Sequence, residues 1–246
     1  MNKIRIIPRI DIKNQKLVKT VHLEGVMPIG DPIKKTLNYY NEGADEILFV
    51  DVVASLYERN SLTKIIEEIA KNIFIPLTVA GGIRSLKDVE TALKSGADKV
   101  AINTAACLNP SIINEISKNF GSQCMVSQID AKKIDNNKWE PYINGGRDRT
   151  NKNLEDWLTE VQDRGAGEIL LTSIDHEGTG FGFDLNLLNK LKLCYVPCIY
   201  SGGIGNLAQL KIFIKNEVNI NGLAFSKLLH LENTKINDIK KFLKIK

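Results

Sequence analysis

The chain has 246 residues, 43% hydrophobic and 25% charged, and its 33 basic and 29 acidic residues give a net charge of +4. That is enough apolar material for one full core, so a single domain over 1–246 is expected, while the small basic excess, without any basic run interleaved with aromatics, excludes a nucleic-acid surface. No window approaches the roughly 18 apolar residues of a membrane span, and Met1-Asn2-Lys3-Ile4-Arg5 enters a short strand with no signal-type region, so a cytoplasmic protein is expected.

Along the chain, β-branched runs alternate with amphipathic segments about every 20–30 residues, the rhythm of βα units on a parallel sheet. Strands are expected at 4–11, 46–51, 76–80, 99–103, 124–130, 168–174, 198–201 and 222–225. After the first comes a long βα loop with Val18-Lys19-Thr20-Val21-His22-Leu23-Glu24-Gly25, expected as a lid, in which a solvated Lys19 is the commoner outcome and a phosphate or carbonyl contact the sharper one. Leu62, Ile65, Ile66 and Ile69 carry helical spacing, as do Leu86, Val89 and Leu93 behind a Ser85 cap, with Gly96 as a stop. Cys107, Cys124, Cys194 and Cys198 lack the paired spacings of a zinc site and read as small hydrophobes, so no metal is expected. His176 and Glu177 follow the sixth strand on the face where substrate contacts fall, whereas His230 lies beyond the last strand and reads as packed or exposed.

The chain also repeats itself. Gly43-Ala44-Asp45-Glu46-Ile47-Leu48 returns as Gly165-Ala166-Gly167-Glu168-Ile169-Leu170, and Ile75-Pro76 ahead of Gly81-Gly82-Ile83 returns as Val196-Pro197 ahead of Gly202-Gly203-Ile204. Ile10-Asp11 and Ile129-Asp130 form a third pair. Two halves, about 1–120 and 121–246, with four βα units each close most naturally as a (βα)8 barrel, in preference to an open doubly wound sheet. In such a barrel the strand C-termini carry chemistry and the N-termini stability.

That rule sorts the candidates. Asp11 and Asp130 end strands one and five, opposite each other, where two carboxylates can share acid and base work across a bound molecule. Gly81-Gly82 and Gly202-Gly203 end strands three and seven, where backbone N–H groups can approach an anion; Asn103-Thr104 and Phe225-Ser226 stand beside them. The two cradles imply an elongated ligand with an anion at each end. Arg5, Glu46, Lys99 and Glu168 start strands one, two, four and six, and from the residues alone they read as an ion-pair network closing the barrel floor.

Several blocks carry a family likeness: Arg5-Ile6-Ile7-Pro8, Gly30-Asp31-Pro32, Ile75-Pro76-Leu77-Thr78-Val79 with Gly81-Gly82-Ile83-Arg84, Gly96-Ala97-Asp98-Lys99-Val100, Asn103-Thr104-Ala105-Ala106, Gly121-Ser122-Gln123-Cys124 and Glu168-Ile169-Leu170-Leu171-Thr172-Ser173-Ile174-Asp175. From the first strand to about His230, the chain resembles the cyclase subunit of imidazole glycerol phosphate synthase. The resemblance implies a (βα)8 barrel that docks a glutaminase subunit on its floor, passes ammonia through the barrel and adds it to a bisphosphorylated ribulosyl aminoimidazole carboxamide nucleotide. Ring closure and C–N cleavage would follow, with no cofactor. It implies catalytic roles for Asp11 and Asp130, phosphate contacts at Gly82, Asn103 and Thr104 at one end and Gly178, Gly203, Phe225 and Ser226 at the other, a mobile-loop Lys19, and an ammonia gate of Arg5, Glu46, Lys99 and Glu168.

The chain departs from the family pattern at Arg9, where a cysteine is usual, at Thr20, His22-Leu23 and Glu177, and at Phe225, whose ring is expected to crowd the second cradle. The segment 51–60 and His22-Leu23-Glu24-Gly25 are more similar to a paralogous branch associated with surface-polysaccharide gene sets and acetamidino-sugar formation. Sugar amidation, a non-catalytic ammonia conduit and isomerisation by a sister barrel are therefore the competing readings.

Overall fold

The computed structural model describes residues 4–54, 62–211, 220–232 and 234–244, and in it eight parallel strands form a closed ring. They are β1 (Arg5–Lys13), β2 (Ile47–Asp51), β3 (Leu77–Ala80), β4 (Lys99–Ile102), β5 (Met125–Asp135), β6 (Glu168–Ser173), β7 (Cys198–Ser201) and β8 (Gly222–Phe225). Each pairs with the next in chain order. The ring closes where β8 meets β1, with Arg5 opposite Gly222 and Pro8 opposite Phe225. This is the expected (βα)8 barrel. Residues 1–3, residues 55–60 of the segment at 51–60, and 245–246 of the C-terminal lysine-rich run lie outside the described residues.

Alternation along the strands builds two cores. Outward residues such as Ile6, Ile10 and Ile12 of β1 pack with the helices, and inward ones such as Ile7, Leu48, Ala101, Val126 and Leu170 fill the ring. Both faces are covered, which is why the strands read as near-continuous apolar runs. The helix Thr63–Ala70 buries Ile65, Ile66 and Ile69. The helix Leu86–Lys94 starts at Ser85, whose hydroxyl accepts from the Asp88 N–H. Cys107, Cys124 and Cys198 are buried and Cys194 half-buried, all as free thiols.

Two additions were not foreseen. The stretch expected as a loop after β1 is an antiparallel hairpin of Lys16–Val21 and Glu24–Gly30, continuing β1 through Ile12 opposite Leu17. A second hairpin continues β5 into Lys138–Ile143, with Asp130 opposite Tyr142. Both stand on the side of the barrel where the strands end.

Candidate active site

Strand β1 points every second residue into the barrel, so Arg5 lies at the floor, Ile7 in the middle, and Arg9 and Asp11 at the mouth. Strand β5 does the same with Val126, Gln128 and Asp130, and β6 with Glu168, Leu170 and Thr172. Asp11 and Asp130 therefore occupy one end of the barrel, on strands four places apart around the ring.

Their surroundings differ. Asp11 is fully buried; its Oδ1 accepts from Arg9 Nε at 2.8 Å, and its Oδ2 has no hydrogen-bond partner among the described residues. Asp130 accepts from Asn103 Nδ2 at 2.9 Å and from Gln128 Nε2 at 3.1 and 3.2 Å. Burial pushes the Asp130 carboxyl above the usual range, outweighing the opposing pull of Arg9 and of its hydrogen-bond donors.

Arg9 is the functional-looking residue that sequence reasoning recorded only as a departure. It is 1% exposed, and Nη1 lies 3.4 Å from both Thr172 Oγ1 and Ser201 Oγ. Burial opposes its charge, yet Asp11, Glu177 and Asp130 together hold it above its ordinary value. Lys19 is the second buried cation, its Nζ 2.6 Å from Glu177 Oε1. This overturns the solvated-lysine reading. Burial penalises the Glu177 carboxylate, but Lys19 and Arg9 outweigh that and hold it below the usual range. Arg9 and Lys19 thus face the buried carboxyls of Asp11, Glu177 and Asp130, and among the described residues Asp130 forms no ion pair.

The hairpin over the mouth is held by further contacts. His22 N–H donates to the Glu177 carbonyl at 2.9 Å, and His22 Nδ1 lies 3.0 Å from the Ile174 carbonyl. Leu23, Tyr142 and Ile174 form a small apolar cluster joining both hairpins to the end of β6. A Cβ on Gly178 would strike the Thr20 carbonyl, so glycine is what lets the hairpin seat there. His176 Nδ1 lies 2.8 Å from the Gly182 carbonyl.

Two hollows flank this cluster. The larger, about 90 Å³, is lined by Gly81, Gly82, Arg84, Asn103, Thr104 and Asp130 among others. The smaller, about 10 Å³, is lined by Glu177, Gly178, Gly203, Phe225, Ser226 and Lys227 with their neighbours. The residues expected in each cradle are thus brought together in separate hollows. Asp11 and Lys19 line neither, but each is bonded to a residue that does: Asp11 to Arg9 at the larger hollow, and Lys19 to Glu177 at the smaller. The expected crowding by Phe225 does not occur, because alternation sends its ring into the outer core and Ala224 into the barrel.

At the floor, Arg5 pairs with both Glu46 and Glu168, and Lys99 Nζ lies 2.9 Å from Glu46 and 2.8 Å from Glu168. Thr78 Oγ1 donates to Glu46 at 2.6 Å. The four charges alternate in a closed ring. Burial opposes the Arg5 charge, but Glu168 and Glu46 raise it above its ordinary value.

A closed (βα)8 ring with its polar cluster at the strand C-termini is the architecture of the barrel enzymes. The model of the histidine biosynthesis protein family matches residues 5–235, and the chain belongs to that family. The imidazole glycerol phosphate synthase subunit HisF of Legionella pneumophila is 50% identical over 210 residues, 85% of this chain and 99% of its own length. The subunit of that name from Wolinella succinogenes is 46% identical over 98% of this chain and 94% of its own length. That from Helicobacter hepaticus is 42% identical, with 98% and 96% covered. These matches give no support to the sugar-amidation, conduit or isomerase readings.

Proposed function

We propose that this chain is the ammonia-using cyclase subunit of an imidazole glycerol phosphate synthase, a lyase fed by a separate glutaminase. The observation that carries the reading is the position of the buried Asp11–Arg9–Asp130 cluster between two glycine-lined hollows, above a ring of four charges at the opposite end. The bisphosphorylated nucleotide spans the mouth, one phosphate at Gly82, Asn103 and Thr104 and the other at Gly178, Gly203, Phe225 and Ser226. Its reacting carbon lies between the two aspartates.

The residues then divide the work. Asp11, with one oxygen unpartnered, moves protons at the nitrogen that arrives as ammonia. Asp130, whose environment favours its protonated form, donates during ring closure and C–N scission. The hairpin carrying Lys19 covers the mouth and excludes water. Ammonia enters through the ring of Arg5, Glu46, Lys99 and Glu168 and crosses the apolar interior layer of Ile7, Leu48, Ala101 and Leu170.

The glutaminase docks on the floor, where Phe74 and Tyr195 are 83% and 69% exposed. Each stands two residues before the proline that precedes its strand, Pro76 or Pro197, so they occupy equivalent repeat positions flanking the gate. Among the described residues no helix is long and apolar enough to cross a membrane, and four free thiols suit a reducing cytoplasm.

The test supplies the purified chain with an ammonium salt and the ribulosyl nucleotide. Formation of imidazole glycerol phosphate is expected without the glutaminase. A folded chain that forms none would rule the substrate out.

A further inference from the structure

The smaller hollow is bordered by a lysine that neither the internal repeat nor the family motifs select. Lys227 follows Ser226 directly and lines the hollow with Gly178, Gly203 and Ser226. Its Nζ donates to the Thr179 carbonyl at 3.0 Å and would lie 2.9 Å from a Cβ on Gly180, so the ammonium rests against the turn at 178–180. An ammonium has three donors and a full charge. Among the described residues it forms one hydrogen bond, to a neutral acceptor, and no ion pair.

A second observation points the same way. Ser226 Oγ is buried and has no hydrogen-bond partner among the described residues, on a residue only 7% exposed. Leaving a buried hydroxyl unpaired is costly unless something else bonds to it. The wall opposite is fixed, since a Cβ on Gly203 would collide with the Gly182 carbonyl. An unpartnered hydroxyl lining a small hollow, with an uncompensated ammonium on the adjoining turn, suits a compact polyanion. The larger hollow shows the counterpart, with the Arg84 guanidinium residue in its lining.

We propose that Lys227 binds the phosphomonoester dianion at the second end of the substrate, its ammonium exchanging the Thr179 carbonyl for a phosphate oxygen while Ser226 Oγ donates beside it. The inference rests on the reading of the second hollow as a phosphate site and adds a charged side chain to what would otherwise be a backbone cradle. It also couples occupancy to the turn at 178–180, which loses its lysine tether when the phosphate binds.

The experiment compares wild type with Lys227→Gln and Lys227→Met, their folding checked by thermal unfolding. Glutamine retains an N–H donor for Thr179 and loses only the charge. Both variants should raise KM for the ribulosyl nucleotide about tenfold or more, leave kcat within about twofold, and flatten the dependence of KM on ionic strength. Calorimetry with inorganic phosphate should show the same loss of affinity. If Lys227→Gln behaves as wild type and only Lys227→Met is impaired, the lysine merely pins the turn and the proposal falls. Normal turnover with phosphate binding indifferent to Lys227 overturns the proposal and leaves the proposed function standing. Lys227-dependent phosphate binding without turnover of the nucleotide overturns the function and leaves the phosphate site.

Discussion

The barrel has an ionic cluster at each end, half-buried at the floor and buried at the mouth, and the two are built on opposite terms. At the floor, two cations meet two carboxylates and each charge is bonded to both of its opposites, with Thr78 completing Glu46. At the mouth, Arg9 and Lys19 meet Asp11, Glu177 and Asp130, and Asp11 Oδ2, Thr20 Oγ1 and Ser226 Oγ lack partners among the described residues. A satisfied cluster holds structure together. An unsatisfied one keeps hydrogen-bonding capacity available at a cost in stability, and that capacity is what a substrate can use.

The contrast predicts opposite outcomes for substitutions at the two ends. Asp130→Asn should lower kcat about 10²–10⁴-fold in the ammonium-dependent assay while raising the unfolding temperature at neutral pH. Burial raises the Asp130 value, so its ionised form is the penalised one; the penalty is absent below the ordinary carboxyl range, grows as pH rises from there toward the raised folded value, and is constant above it. The stabilisation should therefore shrink to nothing as pH falls toward about 4. A variant that loses both activity and stability at neutral pH would erase the distinction between the ends.

Lys99→Met should do the reverse. Removing one cation leaves Glu46 and Glu168 sharing Arg5, at a cost of about 3 kcal/mol in urea unfolding, with ammonium-dependent turnover kept within a few-fold. A comparable loss should appear at the mouth from acid alone. Burial pushes His230 down to about 4 from 6.5, so below pH 6.5 the unfolded chain takes up a proton that the folded chain refuses. Stability should fall by about 3 kcal/mol between pH 6.5 and 4, and His230→Gln should flatten that part of the profile. The smallest effect concerns the floor's outer surface. Phe74→Ser should change the stability of the isolated chain by less than about 0.5 kcal/mol yet weaken glutaminase binding, read by titration of the two subunits.

Much of this was legible because barrel strands are sorted by one period and one direction. Charges at strand starts and acids at strand ends located Arg5, Glu46, Lys99, Glu168, Asp11 and Asp130 without any coordinates. The same alternation places Arg9 inward between Arg5 and Asp11, a signal the sequence itself carries. The hairpin at the mouth was harder to see. Its two-residue turns, Asn14-Gln15 at φ 49° and 62° and His22-Leu23 at φ 52° and 62°, use the left-handed conformation without the glycine that usually announces it. The Lys19–Glu177 pair spans 158 residues, and nothing local indicates such a pairing. Phe225 misled for a related reason: its place in the motif was clear, but the direction of its ring depends on strand register.

One detail at the seam between the first and last strands has a wider consequence. Tyr39 Oη lies 2.7 Å from His230 Nδ1, and His230 Nε2 lies 2.9 Å from the Arg9 carbonyl. Because a carbonyl only accepts, the neutral ring donates from Nε2 and accepts a hydrogen bond from the Tyr39 hydroxyl at Nδ1. A nascent chain that has emerged only as far as Ser226 already has all eight strands and both aspartates, but not the imidazole that anchors Arg9 from behind. The proposed reaction centre thus depends on a side chain that lies beyond all eight strands in the chain.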